Sequence, residues 1–270
     1  MSTKTGASQH FTVARDGIEI PVSRGGRGRP LVLCPGLLTT QADLCELTEL
    51  LRHDHDVVTF DYRGHGLAAT ADRYSFQEFL RDFVAVMAEL PRRGLAWPPI
   101  LVGHSLGADL IVNYASELRG TAAGLVLLDG ANPVPEPYVT AADLPELRAL
   151  WDEFVTQQEA VVDSRRRVLL SVQDIMDLNL EVEAFRSGIL GRYNKIDCPI
   201  SMIMSTSMAG EGDDERTVWR NRNWRAGVDR LARQRPEISI SWLHGGHGLP
   251  FTHAQEIARI VGTLHGQPVR

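Results

Sequence analysis

A serine between two glycines is the residue best suited to chemistry in this chain. The segment Gly103-His104-Ser105-Leu106-Gly107 follows an apolar run, residues 100–102, and precedes a helical pattern that continues to Leu118. This order predicts a strand, a sharp turn and a helix, with the serine hydroxyl exposed at the turn. The two glycines lack the Cβ atoms that would clash across such a turn. We therefore interpret Ser105 as a nucleophile.

A histidine near the C-terminal end supplies a candidate base. His247 follows two glycines, after an apolar run that ends at Leu243 and before a helix predicted to begin near Thr252. An imidazole on such a loop can take the serine proton and return it to a leaving group. His244 and His253 fall at the end of the strand and the start of the helix, where we expect structural roles. The three histidines lack an accompanying carboxylate pattern, so we predict no metal and no other cofactor.

Acyl transfer through a serine also needs two backbone N–H groups that bind the developing oxyanion. The amide of Leu106 lies at the predicted helix N-terminus and is one candidate. The loop Cys34-Pro35-Gly36-Leu37-Leu38 follows a predicted strand, and its glycine allows the backbone to pass close to a substrate. We therefore assign the second donor to the amide of Leu37, with a precision of about one residue.

Short apolar runs separated by helical stretches predict the framework that positions these residues. The runs occupy residues 31–33, 57–60, 100–102, 124–128, 200–204 and 238–243. Buried strands that alternate with helices predict an α/β fold whose mostly parallel sheet is covered on both faces. Ahead of them, residues 11–22 alternate around Asp16-Gly17, which predicts an antiparallel hairpin. Ligands of such sheets bind beyond the carboxyl ends of the strands.

Residues 133–197 interrupt this alternation with helical patterns and no convincing strand. We predict that they form an inserted helical lid, which divides the core into residues 1–132 and 198–270. Leu147, Leu150, Trp151 and Phe154 share one face of a predicted helix in this insert. That face either roofs a substrate pocket or packs against the other helices of the lid.

The composition favours an enzyme that acts on a small molecule. Of the 270 residues, 43% are hydrophobic and 23% are charged, and the formal net charge is −6. This charge gives no electrostatic reason to expect nucleic acid or a membrane surface as a partner. The three cysteines lack the spacing of a disulfide framework, and no apolar run has the length of a signal peptide or a membrane span. We expect a cytoplasmic protein with a small-molecule substrate, and the sequence leaves the oligomeric state open.

The chain resembles the α/β-hydrolase superfamily. The likeness rests on the segment around Ser105, on Asp61-Tyr62-Arg63-Gly64-His65-Gly66 and on Gly245-Gly246-His247, in the order that the family shows. The resemblance implies an eight-stranded, mostly parallel sheet flanked by helices, with a helical lid after the sixth strand. It also implies that the turn around Arg63 is structural. One departure is the oxyanion loop, where Pro35-Gly36 replaces the usual His-Gly.

A second departure concerns the acidic residue that would orient His247. The family usually places it shortly after the strand at residues 200–204, where this chain has Ser205-Thr206-Ser207-Met208. Asp129 directly follows the run 124–128, an alternative position that some members use, and we favour it. The competing candidates are three carboxylates of the following loop, Glu211, Asp213 and Asp214. Either choice would hold the imidazole tautomer and stabilise the imidazolium.

These residues predict a serine hydrolase that cleaves an ester, a thioester, a lactone or a carbon–carbon bond through an acyl-Ser105 intermediate. A second hypothesis is a cofactor-free dioxygenase that opens an N-heteroaromatic ring. In it, a dyad of His247 and Asp129 would deprotonate the substrate, and Ser105 would only orient it. A third hypothesis is a protein of the same fold that binds a small ligand without catalysis.

Overall fold

A hairpin opens the fold of this computed structural model, which describes residues 8–264. Strand β1 (Gln9–Arg15) pairs in antiparallel register with β2 (Ile18–Gly26). Asp16 and Gly17 connect the two strands with φ angles of 50° and 80°. Such left-handed residues match the twist of a two-residue hairpin turn, and the predicted hairpin is confirmed.

Six further strands complete one sheet of eight. They are β3 (Arg29–Cys34), β4 (His55–Phe60), β5 (Ile100–His104), β6 (Gly124–Leu128), β7 (Ile200–Ser205) and β8 (Ser239–Leu243). The order across the sheet is β1-β2-β4-β3-β5-β6-β7-β8, and every pair from β4 to β8 is parallel. The predicted fold class, a mostly parallel eight-stranded sheet, is confirmed.

Helices cover both faces of the sheet. They are α1 (Cys45–Leu51), α2 (Phe76–Glu89), α3 (Leu106–Glu117), α4 (Leu144–Glu159), α5 (Val172–Ser187), α6 (Ile189–Tyr193), α7 (Glu215–Gln234), α8 (Leu249–Thr252) and α9 (Ala254–Leu264). Successive strand residues point to opposite faces, so Leu33 packs with α1 and α9 whereas Val32 packs with α2 and α3. Within residues 8–264 we find no helix with the length and apolar character needed to cross a lipid bilayer.

The segment 133–197 lies between β6 and β7 and holds α4, α5 and α6 but no strand of the sheet. An ion pair that is shielded from solvent joins α5 to α3. Arg186 donates from Nε and Nη2 to the two carboxylate oxygens of Asp109 at 2.9 and 2.7 Å. The domain boundaries and the lid character of this segment stay predictions of the sequence.

The central helix α3 packs closely against the loop that follows β3. A Cβ atom on Gly107 would lie 2.4 Å from the carbonyl oxygen of Cys34 and 2.6 Å from that of Pro35. Both obstacles are backbone atoms and cannot rotate away. Only glycine therefore allows the helix and the loop to meet at this distance.

We predict that Gly107→Ala lowers the free energy of unfolding by about 2–3 kcal/mol or more, because the added methyl group overlaps the backbone. Urea denaturation measures this change. Gly262→Ala is the matched control, since a Cβ atom there meets no atom within 4 Å. Alanine is the better helix former, so the control should keep or raise the stability. Equal stabilities of the two variants would contradict the packing argument.

Candidate active site

Ser105 lies in the sharp turn between β5 and α3. Its backbone angles are φ 51° and ψ −119°, a region that costs a non-glycine residue about 1–3 kcal/mol. Glycines on both sides make the turn possible: a Cβ atom on Gly103 would lie 2.5 Å from the carbonyl carbon of Gly107. A Cβ atom on Gly130 would likewise lie 2.5 Å from the carbonyl oxygen of Ser105. The turn thus holds the serine at the carboxyl end of the sheet.

The structure brings Ser105, His247 and Asp129 together in one hydrogen-bonded chain. The Oγ atom of Ser105 lies 2.9 Å from Nε2 of His247. On the other side of the ring, Nδ1 lies 2.8 Å from Oδ2 of Asp129. The His247 side chain is 34% exposed, whereas the Asp129 side chain is completely buried. A neutral imidazole in this position donates to the carboxylate and accepts from the serine hydroxyl.

Asp129 is surrounded by hydrogen-bond donors. Ser205 donates to it from the backbone N–H at 2.9 Å and from its hydroxyl, and Trp224 Nε1 donates at 3.0 Å. Burial by itself raises the pKa of Asp129, but the bonds from His247 and Ser205 outweigh it, and the pKa lies below its ordinary value. The carboxylate therefore stays ionised beside the imidazole.

The competing carboxylates lie elsewhere. Asp214 caps α7 by accepting the backbone N–H of Thr217 at 2.9 Å, and Asp213 is exposed. Glu211 faces His244, with 3.8 Å between Oε1 and Nδ1, and both side chains are largely exposed. The structure places Asp129, and none of these three, against His247.

His104, the residue before the serine, ties the histidine loop to the elbow. Its Nε2 lies 2.9 Å from the backbone carbonyl oxygen of His247 and donates to it. Burial, together with the neighbouring His247 ring, lowers the pKa of His104 to about 3, so the ring is neutral at physiological pH. The sequence pattern predicts no role for His104, although this residue stands inside the motif around Ser105.

The two predicted oxyanion donors, Leu37 and Leu106, line the same cavity as Ser105. The Leu106 amide is the first of α3 and has no acceptor within that helix. In the other loop, Leu38 donates its amide to Nε2 of His65 at 3.1 Å, and Thr39 donates to the carbonyl of Gly36. The amides of Leu38 and Thr39 are thus already used in hydrogen bonds. Leu37 is therefore the residue of this loop whose amide is suited to bind an oxyanion.

His65 holds the loop that contains Leu37, a structural contact that the sequence pattern of its turn does not reveal. Its ring is completely buried, and Nδ1 lies 2.9 Å from the carbonyl oxygen of Arg63. Burial lowers the pKa of His65 to about 4, which keeps Nε2 unprotonated and able to accept from Leu38. Arg63 is itself fixed by two 2.7 Å bonds to the buried carboxylate of Asp82.

A cavity of about 330 Å³ opens beside Ser105. Most of its lining is apolar and includes residues of the insert, Leu147, Leu150 and Trp151. Part of the predicted helix face therefore does roof the cavity, while Phe154 packs against the core. Two charged residues of α5, Glu183 and Arg186, also line it. This cavity is the space available to a substrate of Ser105.

A model of the alpha/beta hydrolase family matches residues 31–260. The chain belongs to this family. The match covers strands β4 to β8, most of β3, the serine elbow and the His247 loop. It confirms the resemblance that the motifs indicated.

The chain is similar in sequence to a haloperoxidase and in structure to an esterase and a bromoperoxidase. A non-heme haloperoxidase of Rhodococcus erythropolis is 29% identical over 164 residues, which are 60% of this chain and 57% of that protein. A carboxylesterase structure of Nitrososphaera gargenis shares 15% identity with a TM-score of 0.71, covering 96% of this chain and 98% of that one. A bromoperoxidase structure of Bacillus anthracis shares 18% identity with a TM-score of 0.68, covering 97% of this chain and 100% of that one. At such identities the two structures show a shared fold.

The pKa of His65 makes the stability of this hydrolase-family chain dependent on pH. The pKa is about 4 in the folded state against 6.5 ordinarily, so the unfolded chain binds more protons between these values. His65 therefore contributes about 3 kcal/mol to the free energy of unfolding. This contribution is complete above about pH 6.5 and is lost as the pH falls towards 4.

We predict that His65→Gln, although less stable at pH 7, loses less free energy of unfolding than the wild type when the pH falls from 7 to 4.5. Urea denaturation at both pH values measures the loss. His53→Gln changes an exposed histidine and should behave like the wild type. An identical pH dependence in His65→Gln would contradict the assignment of a buried, neutral His65.

Proposed function

We propose that the chain is a serine hydrolase that cleaves the acyl bond of a small-molecule ester or a chemically similar substrate. The observation that carries this proposal is the 2.9 Å contact between Ser105 Oγ and His247 Nε2, with Asp129 on the opposite ring nitrogen. His247 thus lies within hydrogen-bond reach of both the nucleophile and the orienting carboxylate. The same three roles define serine catalysis on several unrelated folds.

In the acylation step, Ser105 Oγ attacks the carbonyl carbon of the substrate while His247 Nε2 takes the hydroxyl proton. The carbonyl oxygen becomes an oxyanion, which accepts from the amides of Leu37 and Leu106. Collapse of this tetrahedral intermediate breaks the bond to the leaving group, and His247 gives the proton to the leaving group. The products of this step are the free leaving group and an acyl-Ser105 ester.

Water completes the reaction. His247 removes a proton from the water as it attacks the acyl carbon, and the second intermediate releases a carboxylic acid and regenerates Ser105. Asp129 keeps its charge throughout, since its role is to hold the ring orientation and to stabilise the imidazolium that forms twice per cycle. Ser205 and Trp224 support this role by fixing the carboxylate.

The size and lining of the cavity favour a small acyl group with an apolar part. A volume of about 330 Å³ lies in the range of small-molecule sites. The carboxylesterase neighbour supports an ester in preference to a carbon–carbon bond. Thioesters and lactones present the same acyl carbon and follow the same steps.

The haloperoxidase relatives favour one variation of this chemistry. Hydrogen peroxide can replace water in the second step, because it too is a nucleophile that His247 can deprotonate. The acyl-serine then yields a peracid and free Ser105. The peracid can oxidise a halide ion to hypohalous acid while it is reduced to the carboxylic acid, so no metal is needed. A halogenation assay with peroxide, bromide and an ester as the acyl donor tests this second activity.

The dioxygenase hypothesis uses the same His247–Asp129 pair, but the relatives named above are an esterase and haloperoxidases, so we propose the hydrolase. Oxygen uptake with hydroxyquinolones that survives in Ser105→Ala and disappears in His247→Ala would reverse this choice. The non-catalytic hypothesis gains no support from a site in which His247 is hydrogen-bonded to both the nucleophile and the carboxylate.

We predict that Ser105→Ala lowers kcat/KM for p-nitrophenyl esters by about 10⁴-fold or more, because no other nucleophile replaces the hydroxyl. Release of p-nitrophenol measures the rate. The matched control is Ser187→Ala, whose hydroxyl lies at the end of α5 and donates to the carbonyl of Ala184. The control should retain the wild-type rate. Ordinary rates in Ser105→Ala would rule out the acyl-serine mechanism.

We also predict that Asp129→Asn lowers kcat by about 10³–10⁴-fold, since the amide cannot hold the imidazole in its productive tautomer. Asp213→Asn is the matched control, because that carboxylate is exposed and belongs to the competing loop. Steady-state kinetics on one ester compare the two variants. A large loss in Asp213→Asn together with a small loss in Asp129→Asn would move the acid role to the loop.

A further inference from the structure

Arg186 carries a hydrogen-bond donor that no group of the described residues 8–264 accepts. The residue is only 9% exposed, and it lines the cavity beside Ser105. Its Nε and Nη2 atoms donate to Asp109. The remaining nitrogen, Nη1, has no hydrogen-bond partner among residues 8–264. Since the side chain borders the cavity and its other two nitrogens are held by Asp109, Nη1 is the part of the guanidinium left to face a ligand.

Glu183 places an acceptor next to this donor. One turn before Arg186 on α5, it also lines the cavity. Its Oε2 atom accepts the backbone N–H of Tyr138 at 2.8 Å, whereas Oε1 lies 3.9 Å from Arg186 Nη1. That distance is too long for a hydrogen bond between them. Burial raises the pKa of Glu183 above its ordinary value, and either protonation state can accept a hydrogen bond.

The spacing of the two atoms fits a single bridging group. An oxygen atom about 2.8 Å from each can span a separation of 3.9 Å, and both bonds then have ordinary lengths. Such a group must accept from Nη1 and donate to Oε1. A hydroxyl does both with one atom, and a carboxamide does so with its oxygen and nitrogen.

Charge selects against an anion at this position. The cation of Arg186 faces two carboxylates, Asp109 and Glu183, so the cluster has a formal charge of −1 when all three residues are ionised. A carboxylate ligand would meet Glu183 as a like charge and could not donate to it. We propose that Arg186 and Glu183 form a polar subsite that binds an uncharged hydroxyl or carboxamide of the substrate.

This inference rests on the proposed function and narrows its substrate class. The remainder of the cavity is mostly apolar, with Leu147 and Leu150 on the side of the insert. The expected substrate is therefore an ester whose apolar chain ends in a hydroxyl or a carboxamide. Arg186 and Glu183 act on specificity, because they bind a group remote from the acyl carbon.

The test compares end groups on one series of substrates. The series consists of p-nitrophenyl esters of straight-chain acids of about four to eight carbons, a size range suited to small-molecule cavities. Each length is made with a methyl, a hydroxyl, a carboxamide or a carboxylate end. We expect one chain length at which the hydroxyl or carboxamide raises kcat/KM about 10-fold or more over the methyl end. The ester with the carboxylate end should have the lowest kcat/KM of the four.

Glu183→Gln tests the charge argument while it leaves the Arg186–Asp109 pair in place. The cluster becomes neutral, so the carboxylate-ended ester should gain about 10-fold relative to the methyl-ended ester. Glu181→Gln is the matched control on the same helix. Its side chain is exposed, outside the cavity, and accepts from the backbone N–H of Phe76. The control should keep the wild-type order of end groups.

The outcomes separate this inference from the proposed function. Hydrolysis of all four esters at equal rates would overturn the proposal of a polar subsite and would leave the serine mechanism in place. If no ester is hydrolysed, binding of the corresponding methyl esters is measured by tryptophan fluorescence, since Trp151 lines the cavity. Tighter binding of the hydroxyl or carboxamide end would then support the subsite without the mechanism. Equal affinities would overturn the subsite as well.

Discussion

The buried charge of Asp129 is the constraint on which the rest of the site depends. An ionised carboxylate without solvent contact is costly unless donors satisfy it, and the fold brings these donors from three separate segments. Ser205 comes from the end of β7, Trp224 from α7 and His247 from the loop after β8. Each of these segments is thereby fixed relative to β6. The orientation of the His247 ring towards Ser105 follows from this arrangement.

The parallel sheet also supports the two strained residues of the site. Ser105 and Asp129 have φ angles of 51° and 45°, directly after neighbouring strands. The Ser105 amide donates to the carbonyl of Leu128, and the Asp129 amide donates to that of Ile203. The ladder of hydrogen bonds therefore continues through both residues, and the sheet compensates for the local strain. Nucleophile and acid are thus placed by the same register that pairs their strands.

Local patterns predict the framework and select Ser105 and His247, whereas the choice of Asp129 rested on the resemblance to the hydrolase superfamily. The apolar runs gave the strands, and the Asp16-Gly17 turn gave the hairpin, because both depend on neighbours in sequence. The supporting residues His65, His104 and Trp224 could not be found in this way. Their roles arise from contacts with residues 27 to 143 positions away along the chain. Among the residues that support Asp129, only Ser205 stands out in the sequence, because it is a polar residue near the position where the family usually has its acid.

Labelling with a fluorophosphonate probe is the sharpest test of Ser105 as a nucleophile, since it requires an activated serine but no knowledge of the substrate. The purified protein is incubated with the probe, and mass spectrometry of its peptides identifies the residue that carries the adduct. We expect one adduct, on Ser105, which forms in the wild type and forms much more slowly in Asp129→Asn. Folded protein that remains unlabelled, or that is labelled at another residue, would contradict it.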